Sequence, residues 1–232
     1  MLNSSIFLIM PTAKSKRFQN KQREKRKRKR QKLVGLSKRD LRALELQRLV
    51  YRPDFFKSGN SRTLAEVNSF HRKDFVKIIH DLKRNFPNEQ LEVLDEGAGN
   101  SSFGKELQEN VKTQTGLEIN VTRTDLQGVA DSRPHSPQEL FKHFGRNKFH
   151  LIVSTFGGTT YSHSIQKSVS NLISVLKPGG VASLLLQGSK ERLEQIKKLG
   201  RVFPNAHLDF FVYKYPSNTN AYGCVLTIKK TG

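Results

Sequence analysis

The chain has 232 residues, 35% of them hydrophobic, and a formal net charge of +21; that is enough apolar material for one sizeable α/β core with an appendage, and too little for two full domains. No run approaches the roughly 18 apolar residues of a membrane span, and a single cysteine, Cys224, excludes an internal disulfide framework. Its neighbours, YGCVLTI, are strand-like, so Cys224 reads as a small buried hydrophobe, and a reducing intracellular compartment, cytoplasmic or nuclear, fits.

The charge is unevenly spread. Residues 1–52 hold 17 Lys/Arg against three acids, and the remaining 180 hold 24 against 17. The opening IFLIM has no basic residue before it and is too short for the apolar region of a signal peptide, and Met10 is a second possible start of translation. Residues 14–38 contain REKRKRKRQK, which sets like charges at every spacing and leaves no apolar face to bury; residues 1–36 are therefore expected to be a disordered arm. Such a run neutralises phosphates by counterion release, which points to RNA or a ribonucleoprotein as a partner through residues 14–39. Only Phe18 lies within it, so the arm should hold phosphates without stacking on bases. A nuclear-import address or a simple tether is the alternative.

Residues 37–90 form a helical segment by their spacing. SKRDLRALELQRLVYR carries Leu41, Leu44, Leu46, Leu49 and Val50, with Ser37 as a capping candidate. After Pro53, LAEVNSFHRKDFVKIIHDLKRNF offers Leu64, Val67, Phe70, Phe75, Ile78, Ile79, Leu82 and Phe86 before it stops at FPNEQ.

From Leu91 the period changes. LEVLDEG reads as a strand, SFGKELQENVKTQTG as a helix closed by Gly116, and LEINVTRTDL and FHLIVSTF as strands; HSIQKSVSNLISVL is a helix and GVASLLLQG a strand. This alternation predicts an α/β fold, a doubly wound and mostly parallel sheet over residues 91–232. HLDFFVYKY and YGCVLTIKK have no helix between them, so they are expected to close the sheet as a C-terminal antiparallel hairpin.

In an open α/β sheet a glycine turn after the first strand lets backbone approach a ligand at the switch point. DEGAG fills that place, but a pyrophosphate cradle would want a glycine where Ser102 stands, and Asp95 would repel it. A cationic ligand suits Asp95 better.

VLDEGAGNSS, VTRTDL, FHLIVSTFGG and LKPGG followed by VASLLL, arriving in this order, resemble the first motif, the second and fourth strands and the turn into the fifth strand of the class I S-adenosylmethionine-dependent methyltransferases. The resemblance implies S-adenosyl-L-methionine as cofactor and no metal. It implies that Asp95 sits near the methionine ammonium and that Gly97, Ala98 and Gly99 form the close-approach turn. Asp125 would accept the ribose hydroxyls, Asp131 would reach the adenine amino group, and Thr155 would border the cofactor. Ser154, Thr155, Phe156, Tyr161 and His163 lie where the acceptor meets the methyl; Ser154, Tyr161 and His163 are the catalytic candidates, with His163 the first choice if a base is used.

The chain departs from the family pattern in three ways. Ser101 replaces a glycine, and His150 stands where an acid is common, which suits a surface or helix-packing histidine better than a catalyst. Only 24 residues separate Asp125 from His150, leaving room for a vestigial third strand or none. The STFGGTTYSH stretch lacks the Pro-Pro-aromatic signature of many base N-methyltransferases. The expected function is a methyltransferase acting on RNA or a ribonucleoprotein. Its rivals are a methyltransferase of protein or small molecules, and a non-catalytic nucleic-acid-binding protein; a nicotinamide oxidoreductase is disfavoured by Ser102 and the hairpin. The oligomeric state is open.

Overall fold

The computed structural model describes residues 62–125, 139–162, 164–188, 190–214 and 222–231. The basic arm, the expected helix around residues 37–52, Asp131 and His163 lie outside them. The described elements run α1 (Leu64–His71), α2 (Phe75–Asn85), β1 (Leu91–Glu96), α3 (Phe103–Thr115), β2 (Ile119–Thr124), α4 (Leu140–Phe144), β3 (Phe149–Thr155), α5 (Gly158–Tyr161), α6 (Ile165–Val175), β4 (Leu176–Gly188), α7 (Lys190–Leu199), β5 (Ala206–Lys214) and β6 (Tyr222–Lys230).

One six-stranded sheet has the order β2-β1-β3-β4-β6-β5. β1 pairs in parallel with β2 and β3, and β3 in parallel with β4, whereas β6 runs antiparallel between β4 and β5. The expected doubly wound sheet with a terminal antiparallel hairpin is thus what the chain forms. Among the described residues no strand lies between β2 and β3; the stretch 126–138 is outside them.

Side-chain alternation divides two cores. On one face Leu91, Val93, Leu151 and Val153 pack under α1, α2 and α3, through Val67, Phe75, Ile79, Phe103, Leu107 and Val111. On the other, Leu94 and Ile152 pack with Leu140, Val169, Leu172, Leu193 and Ile196 from α4, α6 and α7. The described part of the expected helical segment, residues 62–90, therefore shares a core with the strands that follow it, so residue 90 marks a change of element and not of core. Cys224 is fully buried, as its surroundings implied.

Residues 64–86 form two helices where the sequence suggested one continuous segment. Arg72 turns to φ 53, and its N–H bonds back to α1. The Asp74 side chain then accepts from Lys77 N, and Phe75 N donates to Asn68 Oδ1. The break leaves Phe70 42% exposed, outside the core. α7 is an element that the sequence reading did not place, although Leu193, Ile196 and Leu199 recur at helical spacing before Gly200. The LKPGG turn is absorbed into the start of β4, with a register shift against β3 before Leu151 pairs with Val181.

Candidate active site

From β1 the chain moves to β2 on one side and later to β3 on the other, so the tips of β1 and β3 flank the switch point where open α/β sheets bind ligands. Alternation sends the two acids at the end of β1 to opposite faces. Asp95 follows Val93 towards α1 and α3, whereas Glu96 follows Leu94 towards α5 and α6.

Asp95 is 4% exposed, and its Oδ2 makes no hydrogen bond. The nearest cation partner is Arg123 Nε at 3.7 Å, an ion pair too long for a hydrogen bond. Burial pushes the Asp95 carboxyl up to about 6, against the pull of Arg62 and Arg123. The turn above it, Gly97–Ala98–Gly99, has φ 70 and 52 at its glycines, the left-handed region that an L side chain resists. Ala98 N donates to Thr124 O (2.9 Å), which ties the turn to the end of β2.

Two guanidinium groups grip this turn. Arg123 Nη2 donates to Ser101 O (2.6 Å) and Gly99 O (3.3 Å). Arg62, just before α1, donates through Nη2 to Gly97 O (2.9 Å) and Ala98 O (3.1 Å), and through Nη1 to Thr155 O at the tip of β3. The Arg62 backbone is itself held, because its carbonyl accepts from Ser101 Oγ (2.6 Å) and Phe103 N (3.0 Å). Ser101 thus joins the turn, α3 and Arg62.

Glu96 is 2% exposed and bridges to the loop after β3: Ser154 Oγ donates to its Oε2, and Gly158 N donates to its Oε1 (2.9 Å). Burial raises this carboxyl to about 7. Gly97 and Gly157 meet backbone to backbone, since a Cβ on Gly97 would lie 2.2 Å from Gly157 Cα. A side chain at Gly97 would therefore strike the neighbouring loop. A Cβ on Gly99 would instead come within 3.5 Å of Arg62 Nη2, on the crevice side.

The catalytic candidates fare differently. Ser154 is wholly buried with its hydroxyl committed to Glu96, so it is a strut and not an acceptor-facing group; β3 is buried on both faces, and that removed the alternation that would have told its direction. Tyr161 lies in α5, but its side chain is outside the described part, as is all of His163. Thr155 presents its carbonyl to Arg62, while its Oγ1 is 2.9 Å from His71 Nε2. His71, whose Nδ1 is 2.8 Å from Ser183 Oγ, is driven down to about 3 by burial and is neutral. Phe156 holds φ 53, unusual for a bulky residue, and its ring centroid is 6.5 Å from that of Phe70. Asp125, half-buried at the end of β2, opposes ionisation of both Asp95 and Glu96 by its charge. His150 is far from surface-like: Nδ1 accepts from Glu92 N (2.9 Å), Nε2 faces Glu89, and Phe86 packs edge-on, all at the opposite end of β3.

Arg62, Glu96 and His71 were not singled out from the sequence. Glu96 was visible in DEGAG as an acid where the strand should end, but nothing local marks Arg62 or His71, whose partners lie 35 to 112 residues away.

Among the described residues at this crevice, only Asp95 Oδ2 is a buried carboxylate oxygen that accepts no hydrogen bond, and it lies beside backbone that glycine brings close. The set suits the ammonium of S-adenosylmethionine. No protein-family model matches the chain, and none of the curated proteins does. Solved structures similar to it include an rRNA methylase from Streptococcus thermophilus (14% identity, 69% of this chain and 98% of that one, TM-score 0.42). A phosphoethanolamine N-methyltransferase 2 from Haemonchus contortus, in complex with S-adenosyl-L-methionine, matches at 13% identity over 76% of this chain and 59% of that one, TM-score 0.44. The [4+2]-cyclase SpnF matches at 11% identity over 67% and 81%, TM-score 0.36. At such distances a shared architecture does not decide the reaction.

Proposed function

We propose that this chain is an S-adenosylmethionine-dependent methyltransferase whose acceptor is RNA or a ribonucleoprotein. The observation that carries the cofactor assignment is the buried, hydrogen-bond-deficient Asp95 Oδ2 beneath the Gly97–Gly99 turn at the switch point. The acceptor class rests on the charge of +21 and its concentration in the basic stretch 14–39, which suits a polyanion.

When bound, the cofactor supplies an electrophilic methyl on a sulfonium that is already a good leaving group. The protein's task is therefore alignment and exclusion of water. Asp95 would hold the ammonium, the Gly97, Ala98 and Gly99 backbone would line the approach, and Asp125 would receive the ribose hydroxyls, with Asp131 near the adenine. Glu96 keeps the start of the loop after β3 in register through Ser154 and Gly158. His163 remains the candidate for accepting a proton, Tyr161 for orienting the acceptor. His71, neutral and buried, takes neither role.

The test is transfer of labelled methyl from S-adenosylmethionine by the full chain into a mixture of ribosomal RNA, ribonucleoprotein and protein, followed by nuclease or protease digestion of the product. Label released by nuclease supports the reading. Label released only by protease moves the acceptor to protein and makes the arm a tether, and no transfer beside intact cofactor binding favours a non-catalytic RNA-binding protein.

A further inference from the structure

Exposed phenylalanines scattered singly are ordinary, but three of this chain's are aligned. Phe211 of β5 is 43% exposed; it pairs with Val225, Val225 pairs with Leu185, and Leu185 pairs with Thr155 at the tip of β3. This register sets Phe211 level with the crevice, three strand steps of about 4.8 Å away, or about 14 Å. The residues share the sheet face that carries α1, because Ser183, two before Leu185, lies 2.8 Å from His71. The end of α1 reaches to both sides from there. The Arg72 guanidinium lies over the Phe211 ring, 4.1 Å from its centroid. Phe70, 42% exposed, sets its ring 6.5 Å from that of the half-buried Phe156. Phe156 directly follows Thr155, so a row of Phe211, Arg72, Phe70 and Phe156 runs from the sheet edge to the mouth of the crevice.

Two further observations set this row apart from ordinary surface. Among the described residues three that are not glycine hold a left-handed φ, and two of them, Arg72 and Phe156, stand in the row; backbone strain of this kind gathers at ligand sites. The charge beside the rings is also mostly positive. Arg72 and Lys229 are exposed, and the Lys229 charge, after burial, holds the Lys73 ammonium below its usual value. Asp209, on the same face of β5, opposes that shift and lies 3.2 Å from His207. Rings interleaved with cations suit an unpaired polynucleotide, whose bases offer π-faces and whose backbone offers phosphates. A duplex keeps those π-faces stacked inside. Resting on the RNA reading above, we propose that Phe70, Phe156 and Phe211, with Arg72, Lys73 and Lys229, bind single-stranded RNA and lead it to the crevice, the rings stacking on bases and the cations holding phosphates. The acceptor is then a nucleotide in a loop, bulge or end. This surface supplies the stacking that the basic arm, with Phe18 as its one aromatic, does not.

The experiment is fluorescence anisotropy on the full chain with two labelled probes of about ten nucleotides. One is single-stranded oligo-uridine and the other an abasic oligomer with the same ribose-phosphate backbone, both at about 200 mM salt, where phosphate contacts are weakened. Wild-type protein should bind oligo-uridine at least about fivefold more tightly than the abasic oligomer, the lower bound for one stacked base. Phe70→Ala and Phe211→Ala should each weaken oligo-uridine about fivefold or more and the abasic oligomer by less than about twofold. Phe211→Leu, which keeps the apolar bulk without the π-face, should lose as much as Phe211→Ala, whereas Phe211→Tyr should keep the preference. Equal losses for the two probes, or an undiminished preference in both alanine variants, would overturn the proposal. So would wild-type protein that does not distinguish the probes or binds them only at low salt. A wild-type dimer that Phe211→Ala turns into a monomer with unchanged RNA affinity would also overturn it and give this face to a protein partner. If neither probe binds at any salt concentration, the RNA reading itself fails and takes the proposal with it, an outcome distinct from the others.

Discussion

Replacing Gly97 with alanine should cost more than its single methyl suggests. The added Cβ would sit 2.2 Å from Gly157 Cα, 3.1 Å from Gly157 C and 3.2 Å from Gly158 N, all backbone atoms that cannot rotate away. At φ 70 an L residue pays about 1–2 kcal/mol for the left-handed conformation, and overpacking against a rigid neighbour adds about 1–3 kcal/mol. The loop that must retreat also carries Gly158 N, which donates to the buried Glu96 carboxylate at 2.9 Å, so relaxation loosens a second contact. A total of about 2–5 kcal/mol corresponds to a fall in melting temperature of roughly 4–20 °C for a chain of this size. Gly99→Ala is the internal control. Its φ of 52 brings the same conformational penalty, but the nearest atom to its Cβ is Arg62 Nη2 at 3.5 Å. Differential scanning calorimetry of the two variants should show Gly97→Ala less stable than Gly99→Ala by the packing difference alone. Equal melting temperatures would refute the close approach of the two loops.

Because burial lifts Asp95 to about 6, S-adenosylhomocysteine affinity should be flat above pH 7 and fall by up to about tenfold per unit below pH 6 as the carboxylate takes up a proton; a pH-independent affinity between 5 and 8 would exclude an ionised Asp95 as the ammonium partner. The raised folded-state values of Asp95 and Glu96, about 6 and about 7, make their ionisation destabilising. Their contribution to stability is fully present below about pH 4 and is lost as pH rises through 6 to 7, so Glu96→Gln should flatten the pH dependence of denaturant unfolding in that window, and an unchanged profile would contradict the assignment. Deleting residues 1–32 removes 12 Lys/Arg and one acid. RNA affinity should then show a much shallower dependence on salt while cofactor affinity stays put, and an unchanged salt slope would assign the arm another role.

The strand–helix alternation, the terminal hairpin and the Asp95–Gly99 turn were legible because each is written in contiguous residues. What was not legible is long-range or cancels locally. Arg62 is one arginine in a polar stretch, and its meaning comes from carbonyls 35, 36 and 93 residues on. Ser154 looked acceptor-facing because β3 is apolar throughout, and a strand buried on both faces carries no period to orient its last residues. The break between α1 and α2 falls at Arg72, whose left-handed turn no glycine announces, and the apolar spacing on either side read as one stripe.

The central claim, that the Asp95 crevice holds S-adenosylmethionine, is tested most directly by calorimetric titration of wild-type and Asp95→Ala protein with S-adenosylmethionine at pH 7.5. The account predicts one saturable site in the wild type, weakened by about 2 kcal/mol or more, or roughly 30-fold, in the variant, with circular dichroism unchanged. Absence of wild-type binding, or equal affinity in the two proteins, would contradict it.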